Sequence, residues 1–173
     1  MTTVARKGIA ARSAAPTLLF VTLLVTAACG FQLRGAATLD PALSPITIDP
    51  VRAGSALLPP LRRALTHAGA VLAPPDSAST VLRIIADVAG QRVIAVTPQG
   101  QPREAELFYT VEFEVVGPDG AQLIERRELT LRREFAIDER DILGKSHEAE
   151  VLADALLDDM VANIVRLLAA ARP

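Results

Sequence analysis

Cysteine occurs once in the 173 residues, at position 29, and tryptophan does not occur; there are two histidines, one tyrosine and five phenylalanines. A lone cysteine excludes an internal disulfide by counting. His67 and His147 are far apart, and neither has a His, Cys or Asp partner at the spacing of a metal site, so no metal and no cofactor is expected. Without tryptophan, no aromatic platform for stacking sugars is evident. The chain also lacks a G-x-S-x-G elbow, a glycine-rich phosphate loop and a paired-carboxylate motif. Asp158 and Asp159 are adjacent, so on a helix their side chains diverge and read as a solvated face. No catalytic residue is identified, and the expectation is a protein that is not an enzyme. An uninterrupted apolar run of about 20 residues, the length of a membrane span, is missing too.

What is present begins at the N-terminus. Residues 1–28 contain Arg6, Lys7 and Arg12 and no acidic residue, then an apolar run from Thr17 to Val25, then Thr26-Ala27-Ala28-Cys29. A basic segment, a short apolar core and small residues at the exit make a secretory signal peptide. Ala27-Ala28 before Cys29 resembles a bacterial lipobox, with Thr26 standing where leucine is commonest. That resemblance implies a diacylglycerol on the Cys29 thiol and an acylated cysteine as first mature residue. The alternative is a lone cysteine beside an ordinary cleavage site. Acyl chains contribute about 0.8 kcal/mol per buried methylene, so a multiply acylated residue anchors firmly. Gly30, rather than the Asp associated with inner-membrane retention, is consistent with export to the outer membrane of a Gram-negative cell. The expected organisation is a signal over 1–28 and one periplasmic domain over 29–173.

Cleavage before Cys29 leaves 145 residues with 15 basic and 20 acidic side chains, a net charge of −5. Such a domain is no general nucleic-acid binder, and any anion must meet a local basic cluster. Periodicity gives the elements. Ile46 to Asp49 between prolines is a short strand. A helix covers Ser55 to Ala68, its regular part beginning near Pro59, with Leu61, Ala64, Leu65 and Ala68 as apolar stripe and Gly69 as stop. Thr80 to Val96 is a strand in which Leu82, Ile84, Ala86 and Val88 alternate with Arg83, Ile85 and Asp87, and Gly90 marks a bulge. After a turn over residues 98–102, Leu107, Tyr109, Val111, Phe113 and Val115 share one face of the next strand. Gly117-Pro118-Asp119-Gly120 turns the chain into a third long strand, Leu123 to Phe135, whose mixed Arg and Glu residues suggest cross-strand ion pairs. A final helix follows, capped by Ser146 and striped by Leu152, Leu156, Met160, Ile164 and Leu167. The order β-α-β-β-β-α predicts an α+β two-layer sandwich, two helices on one face of a four-stranded, mostly antiparallel sheet.

Cys29-Gly30-Phe31-Gln32-Leu33-Arg34-Gly35 resembles the start of mature members of the LptE family of lipopolysaccharide-assembly lipoproteins, commonly C-G-(aromatic)-x-L-R. The short first strand, the Leu61-to-Gly69 helix, the Gln91-to-Val116 region and the Lys145-to-Leu168 helix agree with the family in order and pattern. The resemblance implies a lipid-anchored outer-membrane protein, on the periplasmic side, that plugs the lumen of the LptD β-barrel, helps it assemble and binds lipopolysaccharide. The phosphates of that glycolipid require basic side chains at one end of the sheet, and Arg92, Arg103 and Lys145 are the candidates; solvated charge is the alternative for each. Two other functions stay open: a lipoprotein subunit of another envelope lipid-transport complex, and a lipid-anchored periplasmic enzyme with a deep polar pocket.

Overall fold

The computed structural model describes residues 38–137 and 142–171, the last of these from residue 146 onward for side chains. Cys29 and the signal segment lie outside the described residues. The elements are β1 (Ile46–Asp49), α1 (Leu58–His67), β2 (Thr80–Val96), β3 (Pro102–Val116), β4 (Gln122–Ala136) and α2 (Ile142–Ala170), with short 3-10 turns at Pro41–Leu43 and Pro75–Ser77. This is the expected order, and the sheet order β1-β2-β3-β4 makes it an open mixed sheet. β1 pairs in parallel with the start of β2, Ile46 opposite Thr80 through Asp49 opposite Arg83. β2, β3 and β4 form the antiparallel meander.

The helices lie on one face. In α1, Leu58, Leu61 and Leu65 are buried, and Pro59 and Pro60 fall in the first turn, where a missing N–H has no helical partner to lose. Gly69, with φ of 92°, ends the helix in a conformation other residues adopt at a cost. From α2, Leu156, Met160, Val161, Ile164, Val165 and Leu168 reach the same core, against Leu82, Ile84, Val111, Phe113 and Val115 of the sheet. No helix among the described residues is long and apolar enough to cross a membrane.

Two expectations need correction. Ser146 is not a cap: α2 begins at Ile142, so Lys145 and Ser146 are already helical. Gly144 did not stop the helix, because one interior glycine costs only about 1 kcal/mol against a 29-residue element. The bulge in β2 is at Ile85, not Gly90: Ile84 pairs with Phe113 and Ala86 with Glu112, leaving Ile85 over. One extra residue reverses the alternation. Leu82 and Ile84 face the helices before it; after it Asp87, Ala89 and Gln91 pair with Val111, Tyr109 and Leu107 on that face. Ala86 and Val88 turn outward instead.

Candidate functional site

The end of the sheet away from β1 gathers the turn between β2 and β3, the end of β4 and the start of α2. Glu104 pairs with Ala136, and the Ile137 N–H donates to the Arg103 carbonyl at 2.8 Å. Arg103 is exposed, sits at a register shift beside Ala95 and Val96, and makes no ion pair with a described residue. Lys145 belongs to the first turns of α2, and its side chain lies outside the described residues. Arg92 is different. It stands on the helix-free face directly opposite Glu106, with Nη2 2.7 Å from Oε1. Arg132 approaches the same oxygen at 3.9 Å, and the Glu106 side chain is only 8% exposed. Oε1 receives no well-aligned hydrogen bond despite these distances, so the contact is chiefly charge on charge. The Arg92 guanidinium also lies 5.9 Å from the Phe108 ring centroid. Two cations on one buried carboxylate leave a local excess of positive charge, but Arg92 is held rather than free.

Sequence reasoning missed a second cluster, around Asp87. Turned inward by the bulge, its side chain is buried where α1 begins. Tyr109 Oη donates to Oδ1 at 2.8 Å, and Ser55 Oγ donates to Oδ2. Ser55 Oγ in turn accepts the Leu57 N–H at 3.0 Å. Arg52 Nη2 donates to the Asp87 carbonyl at 3.0 Å and stands 4.0 Å from Oδ2. The loop before α1 is thereby fastened to β2. Burial, and next the hydrogen bond to the Asp87 carboxylate, push the Tyr109 phenol well above its ordinary value, with Arg52 opposing, so the phenol stays a donor. The one available signal was Tyr109 itself: a tyrosine on a buried strand face needs a partner for its hydroxyl.

Beside this cluster lies a cavity of about 460 Å³ between the loop, the middle of β2 and β3, and α2. Its walls are mainly apolar, with Ala89, Leu107, Leu156 and Leu157 among them, and Asp154 at the rim. Both Asp87 oxygens are occupied by hydroxyl donors, which leaves that carboxylate no free role as a base. Among the described residues no group of His, Cys, Asp and Glu could hold a metal ion.

The family model for LptE, described as lipopolysaccharide-assembly, matches residues 41–168. This chain belongs to the LptE family. It is 29% identical over 153 residues to the LPS-assembly lipoprotein LptE of Yersinia enterocolitica, covering 87% of this chain and 73% of that one. Its identity to the LPS-assembly lipoprotein LptE of Photorhabdus laumondii is 27% over 152 residues, covering 87% and 82%. The solution structure of an uncharacterized lipoprotein B from Nitrosomonas europaea shares the fold, with a TM-score of 0.69 at 24% identity over 82% of this chain and 91% of that one. The LptE match spans every described element of the sheet, so the family's role in lipopolysaccharide assembly attaches to this domain and not to a flanking segment.

Proposed function

We propose that this protein is anchored to the outer membrane through an acylated Cys29, after loss of residues 1–28, and that residues 29–173 form one domain seated in the lumen of the LptD β-barrel. There it contacts lipopolysaccharide through the basic end that carries Arg92, Arg103 and Lys145. The role is one of binding and assembly and assigns the chain no reaction.

The observation that carries this reading is the helix-free face of the sheet. A barrel lumen is polar, and a plug must meet it with polar groups that are already satisfied. On this face Arg83 joins Glu114 at 2.6 Å and Asp49 at 3.2 Å. Arg126 Nη2 donates to Glu112 at 2.8 Å, the Thr110 and Thr130 hydroxyls meet at 2.9 Å, and Arg92 meets Glu106. The hydrogen bond from Arg126 holds the Glu112 carboxyl below its ordinary range, so the pair stays charged at neutral pH. Glu112 and Glu128 are direct cross-strand neighbours, a like-charge pairing that Arg126 offsets.

Affinity purification of tagged barrel from detergent-solubilised outer membranes tests the partner. The chain should come down with the barrel, with a lipid-modified Cys29 as first residue by mass spectrometry. Recovery with an inner-membrane transport complex instead would favour the other envelope role. For the glycolipid, Arg103→Glu with Lys145→Glu should weaken binding of purified lipopolysaccharide, by the largest factor at low salt, while the barrel complex persists. Unchanged binding removes this end of the sheet from the contact surface.

A further inference from the structure

The β2–β3–β4 register sets two rows of side chains side by side on the helix-free face. Gly90, Phe108 and Arg132 make one row; Arg92, Glu106 and Glu134 make the next. Gly90 leaves room for the Phe108 ring, and the Arg92 guanidinium lies over that ring. Arg132 is diagonal to Glu106, a separation that long side chains span. Glu106 is buried here, while Arg92 and Arg132 keep more than half of their side chains in solvent. Burying a carboxylate is costly unless it is hydrogen-bonded as well as paired. Oε1 of Glu106 is paired twice and has no well-aligned hydrogen bond. Glu134, its cross-strand neighbour, is exposed and makes no ion pair with a described residue.

A guanidinium carries five N–H donors, and each contact to Glu106 engages one nitrogen. Two such groups that converge on one oxygen, with donors to spare, are close enough for a single phosphate to bridge. We propose that Arg92 and Arg132 together take one phosphate group of lipopolysaccharide, and that Glu106 is a built-in counter-anion that weakens their hold on it. The phosphate must draw the two guanidinium groups away from a carboxylate that stays behind in its buried place. Like charges a few ångströms apart repel, and a buried carboxylate deprived of its partners bears the full cost of burial. The site therefore fills and empties, as a protein that passes its ligand onward requires; two unopposed arginines would retain it. The inference rests on the basic end contacting lipopolysaccharide, and adds Arg132 as a ligand and Glu106 as its attenuator.

Equilibrium binding of purified lipopolysaccharide to the full-length, lipidated protein in detergent tests this, with Glu106→Gln set against Glu134→Gln. Each removes one negative charge from adjacent positions on one face, but only the first releases the arginines. Glu106→Gln should bind about fivefold tighter at low salt, the effect of one unit charge removed from about 4 Å away in water-like surroundings. Glu134→Gln should gain much less. Arg132→Ala should weaken binding, and lipopolysaccharide stripped of its phosphates should show none of these differences. Equal gains in the two glutamate variants overturn the inference, because general charge then accounts for them. Weaker binding by Glu106→Gln also overturns it, since the carboxylate would then be a prop for the arginines. Unchanged binding by Arg132→Ala removes that residue and the bridged phosphate with it. All three leave lipopolysaccharide contact at this end standing. If the unaltered protein binds no lipopolysaccharide, that contact and the inference fall together.

Discussion

The two ends of β2 were built from similar residues and ended in opposite environments. Its first residues, through Arg83, lie between β1 and β3, with Leu82 fully buried beneath the helices. The later ones have one neighbouring strand, and Val93, Ile94 and Val96 are exposed by 40% to 59%. Helix length explains the difference. The ten residues of α1 span about 15 Å at about 1.5 Å per residue, whereas the 17 of β2 extend more than three times as far, about 56 Å at about 3.3 Å each. Only α2, at 29 residues, can follow the strands to the far end. The cavity opens where α1 begins, as geometry requires when one of two covering helices is short. One end of the sheet is therefore a core, and the other is a surface made of core-type residues.

The sharpest test of that contrast is Phe113→Ala against Val93→Ala. Phe113 is fully buried under both helices, and its truncation should destabilise by about 3–5 kcal/mol. Val93 is half exposed, and its truncation should stay within about 0.5 kcal/mol. Urea denaturation of the mature domain measures both. Comparable losses would mean that the far end is packed in solution as the near end is.

Most of this fold was legible because its signals are periodic. The alternation in β3 and the helical stripe of α2 place Phe113 and Met160 in the core directly, and Gly69 and the Gly117–Gly120 turn mark their boundaries. What was illegible depended on a single uncounted residue. The bulge at Ile85 has no composition of its own, yet it decides that Asp87 faces inward. Gly90, the visible candidate for a bulge, is a glycine for another reason, the Phe108 ring lying across it. At the candidate site, charge and chain order brought Arg103 and the start of α2 to one end, but the Arg92–Glu106 pairing follows from a cross-strand register that no local pattern encodes. Similarly, Lys145 lay past the start of its helix because a helix tolerates Gly144 when packing along the rest of its length outweighs one glycine.

The Asp87 cluster joins the two ends of β2, and Tyr109→Phe should loosen the joint. It removes one hydrogen bond to a charged acceptor, worth about 1.5–3 kcal/mol. The pH dependence has a definite sign. The folded phenol titrates above the unfolded one, so its contribution is complete below about pH 10 and is lost as pH rises toward the folded value. Stability of the native protein should fall above pH 10 with a component that Tyr109→Phe lacks. Because Tyr109 is the only tyrosine in the chain, the tyrosinate ultraviolet band reports it without overlap. A band that rises at the pH of a free tyrosine would show the hydroxyl is not held by Asp87.

Gly90→Ala should give the smallest change, confined to the helix-free face at the open end. A Cβ there would fall 2.6 Å from Phe108 Cζ, which no packed structure accommodates without movement. The obstacle is the far end of a partly buried ring and not backbone, so the ring can swing aside. The cost should be about 1 kcal/mol, at the low end for overpacking, and it should come with loss of the Arg92 contact to the ring. Phe108→Ala removes the obstacle. In the Gly90→Ala/Phe108→Ala double variant the penalty of the alanine should therefore vanish, giving a coupling energy close to the single-variant cost. Simple additivity would mean that the strain at Gly90 comes from the backbone. The glycine would then belong to the path of β2 itself, and the ring would merely cover it.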